Sequence, residues 1–302
     1  MKVAIELGVN PSLDAVRGIG VHTNTLIKEL GKLERNELTI VSDPKNADVT
    51  HYTKFNPFFI SLPFFKPSKK VVITIHDLIP LIYPKHYPPG IRGRMFFLIN
   101  KHLVKKNVDA IITISETSKK DIVRFLGIAP RKIHVIYLAP RKIFRRMEDG
   151  RWKTEITKRY GLPESFALYV GDVNYNKNIP GLIEMCKDAG IKLVIAGKQA
   201  KEIEKLDLDH PELSHLKGLD WTNVIRLGFV PDEDLVGLYN LADVYIQPSL
   251  YEGFALPLLE AKACGTWVIA TRIPTHVEIL GRGRKYSWEA TAKETLNVYK
   301  NC

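Results

Sequence analysis

Two glutamates, Glu252 and Glu260, stand eight positions apart where a strand-like run turns into a helix-like one. Asp243-Val244-Tyr245-Ile246-Gln247-Pro248-Ser249 leads into Leu250-Tyr251-Glu252-Gly253-Phe254-Ala255-Leu256-Pro257-Leu258-Leu259-Glu260. Pro257 suits the first positions of a helix, where a missing amide costs nothing. Gly253 lets the backbone come close to a ligand. The free amides and positive dipole end of such a helix make a ready seat for a diphosphate. Glu252 falls in the loop and Glu260 near the end of the first turn. The two carboxylates can therefore accept hydrogen bonds from sugar and ribose hydroxyls of one extended ligand. A plainer arrangement makes Ser249 and Glu252 a capping box and Glu260 a solvated helix residue. It leaves the apolar loop and the glycine without a purpose.

The elements that must position these residues alternate along the whole chain, as in parallel α/β layers. In the first half the pattern predicts strands at Val3–Leu7, Leu38–Val41, Val49–Tyr52, Val71–Ile75, Ala110–Ile114 and Ile133–Tyr137. Helices are predicted at Val21–Leu33, Arg92–Lys106 and Glu116–Leu126, the last capped by Ser115. In the second half strands fall at Ala167–Val170, Lys192–Ala196, Val224–Leu227, Val244–Gln247 and Trp267–Ala270. Helices fall at Ile179–Ala189, Glu233–Leu241, Pro257–Ala263 and Trp288–Tyr299. The polar, basic stretch from Pro140 to Ser165 shows no clean strand pattern and reads as the linker. Ligands of open α/β folds bind at the carboxyl ends of such strands.

A chain of 302 residues with 25% charged and 45% apolar residues is an ordinary globular composition. No apolar run approaches the roughly 18 residues of a membrane-spanning helix, and the start runs straight into a strand pattern, so no leader is expected. Cys186, Cys264 and Cys302 fit neither a disulfide framework nor a zinc cluster, which points to a reducing cytosol. The net charge is +11, and residues 1–150 carry 25 basic against 13 acidic side chains. A one-sided positive field attracts anionic partners such as a membrane surface, a phosphorylated acceptor or nucleic acid.

The Glu252–Glu260 stretch closely resembles the signature of two glutamates eight residues apart in retaining glycosyltransferases of family 4 (glycosyl transferases group 1). Further segments are similar to that family in the same order. They are Arg17-Gly18-Ile19-Gly20, Val72-Ile73-Thr74-Ile75-His76-Asp77-Leu78, and Ile112-Thr113-Ile114-Ser115-Glu116 with Ser118-Lys119. In the second half they are Tyr169-Val170-Gly171-Asp172 through Lys177-Asn178, and Leu227-Gly228-Phe229-Val230. The resemblance implies a compact member of the GT-B fold, two Rossmann-like α/β/α domains facing each other across a cleft. Residues 1–150 would form an acceptor-side domain and 151–285 the nucleotide-sugar domain. Residues 286–302 would form a helix packing back toward the first.

Carried over, the resemblance implies catalytic roles for Glu252, Lys177 and His76. Glu252 would hold donor-sugar hydroxyls, Lys177 would neutralise the leaving diphosphate, and His76 would sit over the donor sugar. Gly253, Phe254, Ala255 and Leu256 would line sugar and diphosphate, with Gly171 in the phosphate-binding element. Glu260 would bind the ribose, and Phe229 and Val230 would meet the base. Gly18 and Gly20 would let the first domain approach the phosphates. The fixed positive charge suits the anionic leaving group that a breaking sugar–phosphate bond creates.

Two departures stand out. Asp172 occupies the place of a common arginine, so that Arg226 or Arg17 replaces it or Lys177 acts alone. Pro274 to Gly281 runs almost directly into Tyr286-Ser287-Trp288, as if a βα unit had been cut out. Asp207-Leu208-Asp209 reads as a solvated turn rather than a metal site, and Asp232-Glu233-Asp234 as a cap for the following helix.

The expectation is a cytoplasmic, metal-independent, retaining hexosyltransferase without a cofactor. It would use a UDP- or GDP-sugar and a glycan or lipid-linked acceptor, resting on the inner face of a membrane. Phe55 to Lys70, with five phenylalanines and three lysines, reads as a functional surface, while the apolar residues of Arg92–Lys106 read as core. The alternatives are transfer to DNA, although nucleic acid is not an expected partner, and a non-catalytic sugar-nucleotide or glycan-binding module.

Overall fold

A computed structural model of the chain describes residues 1–6, 18–33, 37–148, 150–281 and 285–302. It divides into two compact units. Unit 1 holds Met1–Pro84, Pro88–Ala139 and Arg282–Cys302, and unit 2 holds Lys85–Tyr87 and Pro140–Gly281. The division falls at the first residue of the stretch read as the linker. Within that stretch lies a helix, Arg151–Tyr160, that the sequence pattern does not reveal.

In unit 1 a six-stranded sheet comprises β1 (Lys2–Glu6), β2 (Thr39–Val41), β3 (Val49–Tyr52), β4 (Lys70–Thr74), β5 (Ala110–Thr113) and β6 (Ile133–Val135). Its order is β2-β1-β3-β4-β5-β6, and every described pairing is parallel. Unbroken apolar runs such as Val71-Val72-Ile73 are buried, as expected for strands covered on both faces. Its helices include α1 (Gly18–Leu30), α2 (Gly90–Asn107) and α3 (Glu116–Asp121). Ser115 caps α3, its side chain accepting from the Ser118 amide, and a π-helical turn over Ile122–Leu126 continues it.

Unit 2 begins with α4 (Arg151–Tyr160). Its sheet comprises β7 (Phe166–Val170), β8 (Lys192–Ala196), β9 (Val224–Gly228), β10 (Val244–Gln247) and β11 (Trp267–Ala270), in the order β11-β10-β7-β8-β9. Alongside run α5 (Ile179–Asp188), α6 (Asp232–Leu241), α7 (Leu256–Cys264) and α8 (Pro274–Leu280). β11 is an edge strand, and Trp267 and Ile269 on it are exposed. The last helix, α9 (Trp288–Asn301), belongs to unit 1, where it packs on α1 and is capped by Ser287.

Two details differ from the sequence reading, and a third agrees with it. Asp232-Glu233-Asp234 do not cap α6. The cap position is Pro231 with no side-chain bond, and the acids form the first turn, where negative charge suits the dipole. Asp232 instead pairs with Arg141, and Asp234 with Arg159 and Tyr160. The apolar residues of α2 are only partly core, since Leu103 and Val104 are buried but Ile91, Met95 and Leu98 are exposed. Asp207 and Asp209 do form a turn, closed by the Asp209 amide on Asp207.

Candidate active site

The direction of winding in the unit 2 sheet reverses between β7 and β10, which are direct neighbours. Both end at the same edge, and a crevice opens outside such a switch point. From β7 the chain passes through Gly171 to a short turn carrying Lys177, and from β10 it passes to Glu252. The Lys177 ammonium lies 2.7 and 2.8 Å from the two Glu252 carboxylate oxygens.

Glu252 is buried, and its carboxylate is held from several sides. Ser249 Oγ donates to Oε1 at 2.6 Å and Gln247 Nε2 at 2.9 Å. Tyr245 in turn fixes Gln247 through the amide oxygen. A buried carboxylate is tolerated when it is paired and hydrogen-bonded in this way. The Ser249–Glu252 contact joins two side chains in a loop, so the capping-box arrangement is not formed. Thr275 of α8 donates to the Glu252 carbonyl at 2.6 Å, and Thr271 to the Ser249 carbonyl at 2.5 Å.

Asn176 ties the two loops together. Its side chain donates to the Tyr251 carbonyl at 3.0 Å, its carbonyl accepts from the Leu250 amide at 2.8 Å, and Tyr87 donates to its Oδ1 at 2.9 Å. Asn178 adopts a left-handed backbone and bonds the Pro248 carbonyl at 3.2 Å. Gln247, Ser249, Asn176, Thr271 and Thr275 were not singled out as site residues from sequence. Their partners come from separate segments, and only small polar residues beside the glutamate motif hint at them.

Gly253, Phe254 and Ala255 lead into α7, and no side chain caps that helix. Phe254 is buried, and Ala255 has φ 69° and ψ 59°. A left-handed alanine costs about 1–2 kcal/mol, and such strain clusters at functional sites. It turns the chain so that Leu256 and Pro257 open the helix. Gly171 has φ 151°, and a Cβ on Gly197 at the end of β8 would lie 2.0 Å from the Gly171 carbonyl oxygen. At the end of β9, Gly228 has φ 84°, Phe229 is exposed and Val230 is buried.

Glu260 has different neighbours. It is buried on α7, so the solvated-helix arrangement fails, and Tyr239 donates to its Oε2 at 3.2 Å. Burial pushes its carboxyl up to about 7, against the pull of Arg141 and the Tyr239 hydroxyl. Arg226 stacks over Trp221 and pairs with Glu204 at 2.6 Å, so it is engaged elsewhere than at the phosphate turn. Arg17 lies outside the described residues.

His76, Gly18 and Gly20 belong to unit 1. His76 follows β4, and its Nε2 lies 2.7 Å from His22 Nδ1 of α1. Its Nδ1 is buried with no partner among the described residues. Gly18 opens α1 with nothing within 4 Å of a Cβ placed on it, and Gly20 is buried. Among the described residues no group of three or more His, Cys, Asp or Glu side chains is gathered as for a metal ion. Nor is any helix among them long and apolar enough to cross a membrane. The three cysteines are free thiols.

Two family models match the chain, "Glycosyl transferases group 1" over residues 153–298 and "Glycosyltransferase Family 4" over residues 30–139. The chain belongs to the family 4 glycosyltransferases. Among relatives of this family 4 chain, the serotype-specific mannosyltransferase WbdA of Escherichia coli is 31% identical over 232 residues. That match covers 74% of this chain and 28% of WbdA, so the chain spans little more than a quarter of that relative. O-antigen chain mannosyltransferase B of Escherichia coli is 25% identical over 283 residues, covering 78% of this chain and 72% of that one. The crystal structure of Anabaena HepE in complex with UDP-glucose superposes with a TM-score of 0.66 at 14% identity, covering 100% of this chain and 89% of HepE. At that identity the likeness carries the fold, which is GT-B.

Proposed function

We propose that this family 4 chain transfers a hexose from a nucleotide-diphosphate sugar to a glycan or lipid-linked acceptor, with retention at the anomeric carbon and without a metal. The observation that carries the reading is the Lys177–Glu252 pair, 2.7 Å apart at the sheet's switch point and next to an α7 N-terminus without a side-chain cap. In the donor complex Lys177 and the α7 amides face the diphosphate, while Glu252 accepts from sugar hydroxyls.

The bond between the anomeric carbon and the β-phosphate oxygen breaks, and the electron pair goes to the diphosphate. The cationic, amide-rich seat stabilises that charge. The acceptor hydroxyl oxygen bonds the anomeric carbon on the same face, and its proton passes to the departing phosphate oxygen. No enzymic nucleophile is needed. Glu260 serves the ribose, Phe229 the base, and His76 the reacting sugar. Two relatives are named mannosyltransferases and a structural neighbour holds UDP-glucose, so GDP-mannose and UDP-glucose head the donor panel. The basic excess of residues 1–150 supports work beside an anionic membrane surface on its cytoplasmic side.

A thermal-shift panel of UDP-, GDP- and ADP-sugars tests the donor, because a ligand that binds the native state alone raises stability. Turnover of the stabilising sugar nucleotide, lost in Glu252→Ala and Lys177→Ala proteins that still melt cooperatively, supports the transferase. Flat melting curves across the panel overturn it, and binding without turnover leaves the binding module.

A further inference from the structure

The ring of His76 is held through one nitrogen. Nε2 lies 2.7 Å from Nδ1 of His22 on α1, and the two ring planes stand 80° apart. The His22 ring also packs against Trp288 of α9, with ring centroids 5.9 Å apart. The His76 backbone is fixed separately, by Ser118 Oγ donating to its carbonyl at 2.8 Å. All four residues belong to unit 1. His22 is buried, and no part of the transfer step needs its side chain.

A neutral imidazole carries one proton and one bare lone pair. Burial keeps both rings neutral, bringing His76 down to about 4 and His22 well below its ordinary value. Two bare lone pairs or two N–H groups would repel at 2.7 Å, so one proton lies between the facing nitrogens. Which nitrogen of a histidine is protonated is set by the hydrogen bond that the other makes.

Two arrangements satisfy this. In the first, His22 Nδ1 donates to His76 Nε2, and the proton of His76 sits on its own Nδ1. That nitrogen is buried and has no partner among the described residues. In the second, His76 Nε2 donates to His22 Nδ1, and Nδ1 of His76 is a bare lone pair. A buried N–H without an acceptor is rarer than an acceptor without a donor, which selects the second.

We propose that His22 is a positioning residue: by accepting the Nε2 proton of His76 it keeps His76 Nδ1 bare, and that nitrogen accepts a hydrogen bond from a hydroxyl of the donor hexose. The inference rests on the transferase reading and deepens it. A bare nitrogen needs a donor, so His76 selects a sugar hydroxyl rather than a ring or carbonyl oxygen. Away from water such a bond is electrostatically stronger.

The test uses the full chain with nitrogen-15 in its histidines, near neutral pH and without donor. Signals that vanish in His76→Gln assign the ring. The parent should show His76 protonated at Nε2 and bare at Nδ1. His22→Phe keeps a ring but offers no acceptor, so His76 should populate both forms. His22→Asn, with an amide oxygen close to the place of Nδ1, should restore the Nε2-protonated form. Turnover of the stabilising sugar nucleotide should follow, with kcat down about tenfold or more in His22→Phe and within about threefold of the parent in His22→Asn. The inference is overturned if His76 Nδ1 carries the proton in the parent, or if His22→Phe leaves the His76 signals and kcat unchanged. The parent spectrum decides the tautomer even where His22→Phe does not fold. Protonated Nδ1 with turnover intact removes this inference alone. Bare Nδ1 in a chain that turns over no sugar nucleotide removes the transferase reading and leaves the tautomer standing.

Discussion

His22 Nδ1 and His76 Nε2 lie 2.7 Å apart, within hydrogen-bond distance, with their ring centroids 4.9 Å apart and edge-on. Nearby, His51 bonds Tyr299 of α9 at 2.6 Å and Thr74 at 2.7 Å. None of these rings is placed to accept a second proton cheaply. Burial brings His51 down to about 3 and His76 to about 4, and it lowers His22 as well, aided by His76.

The unfolded chain protonates these histidines near pH 6.5, while the folded one keeps His76 neutral down to about pH 4 and His51 down to about pH 3. Their stabilising contribution is therefore complete above pH 6.5 and is lost as pH falls toward 3–4. Calorimetric melting should show unit 1 losing a few kcal/mol across that window. His51→Phe should flatten the slope, and an unchanged slope in that variant speaks against the buried neutral ring as its cause.

Glu260 runs in the opposite direction. Its carboxyl is raised from 4.5 to about 7, so the folded state binds its proton more tightly than the unfolded state does. Stability is undiminished below pH 4.5 and falls as pH rises through 7, by on the order of 3 kcal/mol. Glu260→Gln should raise the melting temperature at pH 8 and leave it nearly unchanged at pH 4.5. A ribose role adds a second readout, weaker binding of the nucleotide sugar by the same variant.

Breaking the Lys177–Glu252 pair should cost more than removing it. Lys177→Met leaves the buried Glu252 charge with only neutral donors, an expected loss of about 2–4 kcal/mol. Lys177→Met with Glu252→Gln should recover part of that loss, and a double-mutant cycle in urea measures the coupling. Both proteins should lose turnover at least a hundredfold. Additive losses of stability would show that the pair carries no coupling.

Gly197→Ala should be among the most damaging small substitutions. Its Cβ would sit 2.0 Å from the Gly171 carbonyl oxygen, which is backbone and cannot step aside. Separating the ends of β7 and β8 should cost about 3 kcal/mol or more and weaken donor binding by displacing the turn that carries Lys177. Gly18→Ala, with open space around it, is the matched control and should melt like the parent.

Much of this protein follows from local pattern. Continuous apolar runs such as Leu193-Val194-Ile195 have no polar face to turn to solvent, so buried parallel strands follow from composition alone. The strand–loop–helix arrangement around Glu252 was legible because a strand, a glycine and a proline-opened helix are consecutive in the chain. Capping by Ser115 was legible for the same reason, since its partner amide is three residues away. Helix Arg151–Tyr160 was missed although Trp152, Ile156 and Tyr160 recur at helical spacing, because the rest of it is charged or polar and its apolar content is low.

What lies far apart in sequence was settled only by folding. Lys177 and Glu252 are 75 residues apart, and nothing in either segment shows that they touch. The exposure of Phe59, Phe64 and Phe65 depends on Asn100 and Asn107, whose amides look unremarkable on a helix until they are seen holding loop carbonyls. Glu260, in a pattern compatible with solvent, is buried because Tyr239 and α6 cover it. Chain-local geometry sets strands, turns and caps through short-range sterics. The charge state of a carboxylate or imidazole depends on the dielectric and partners around it, and only the assembled structure supplies those.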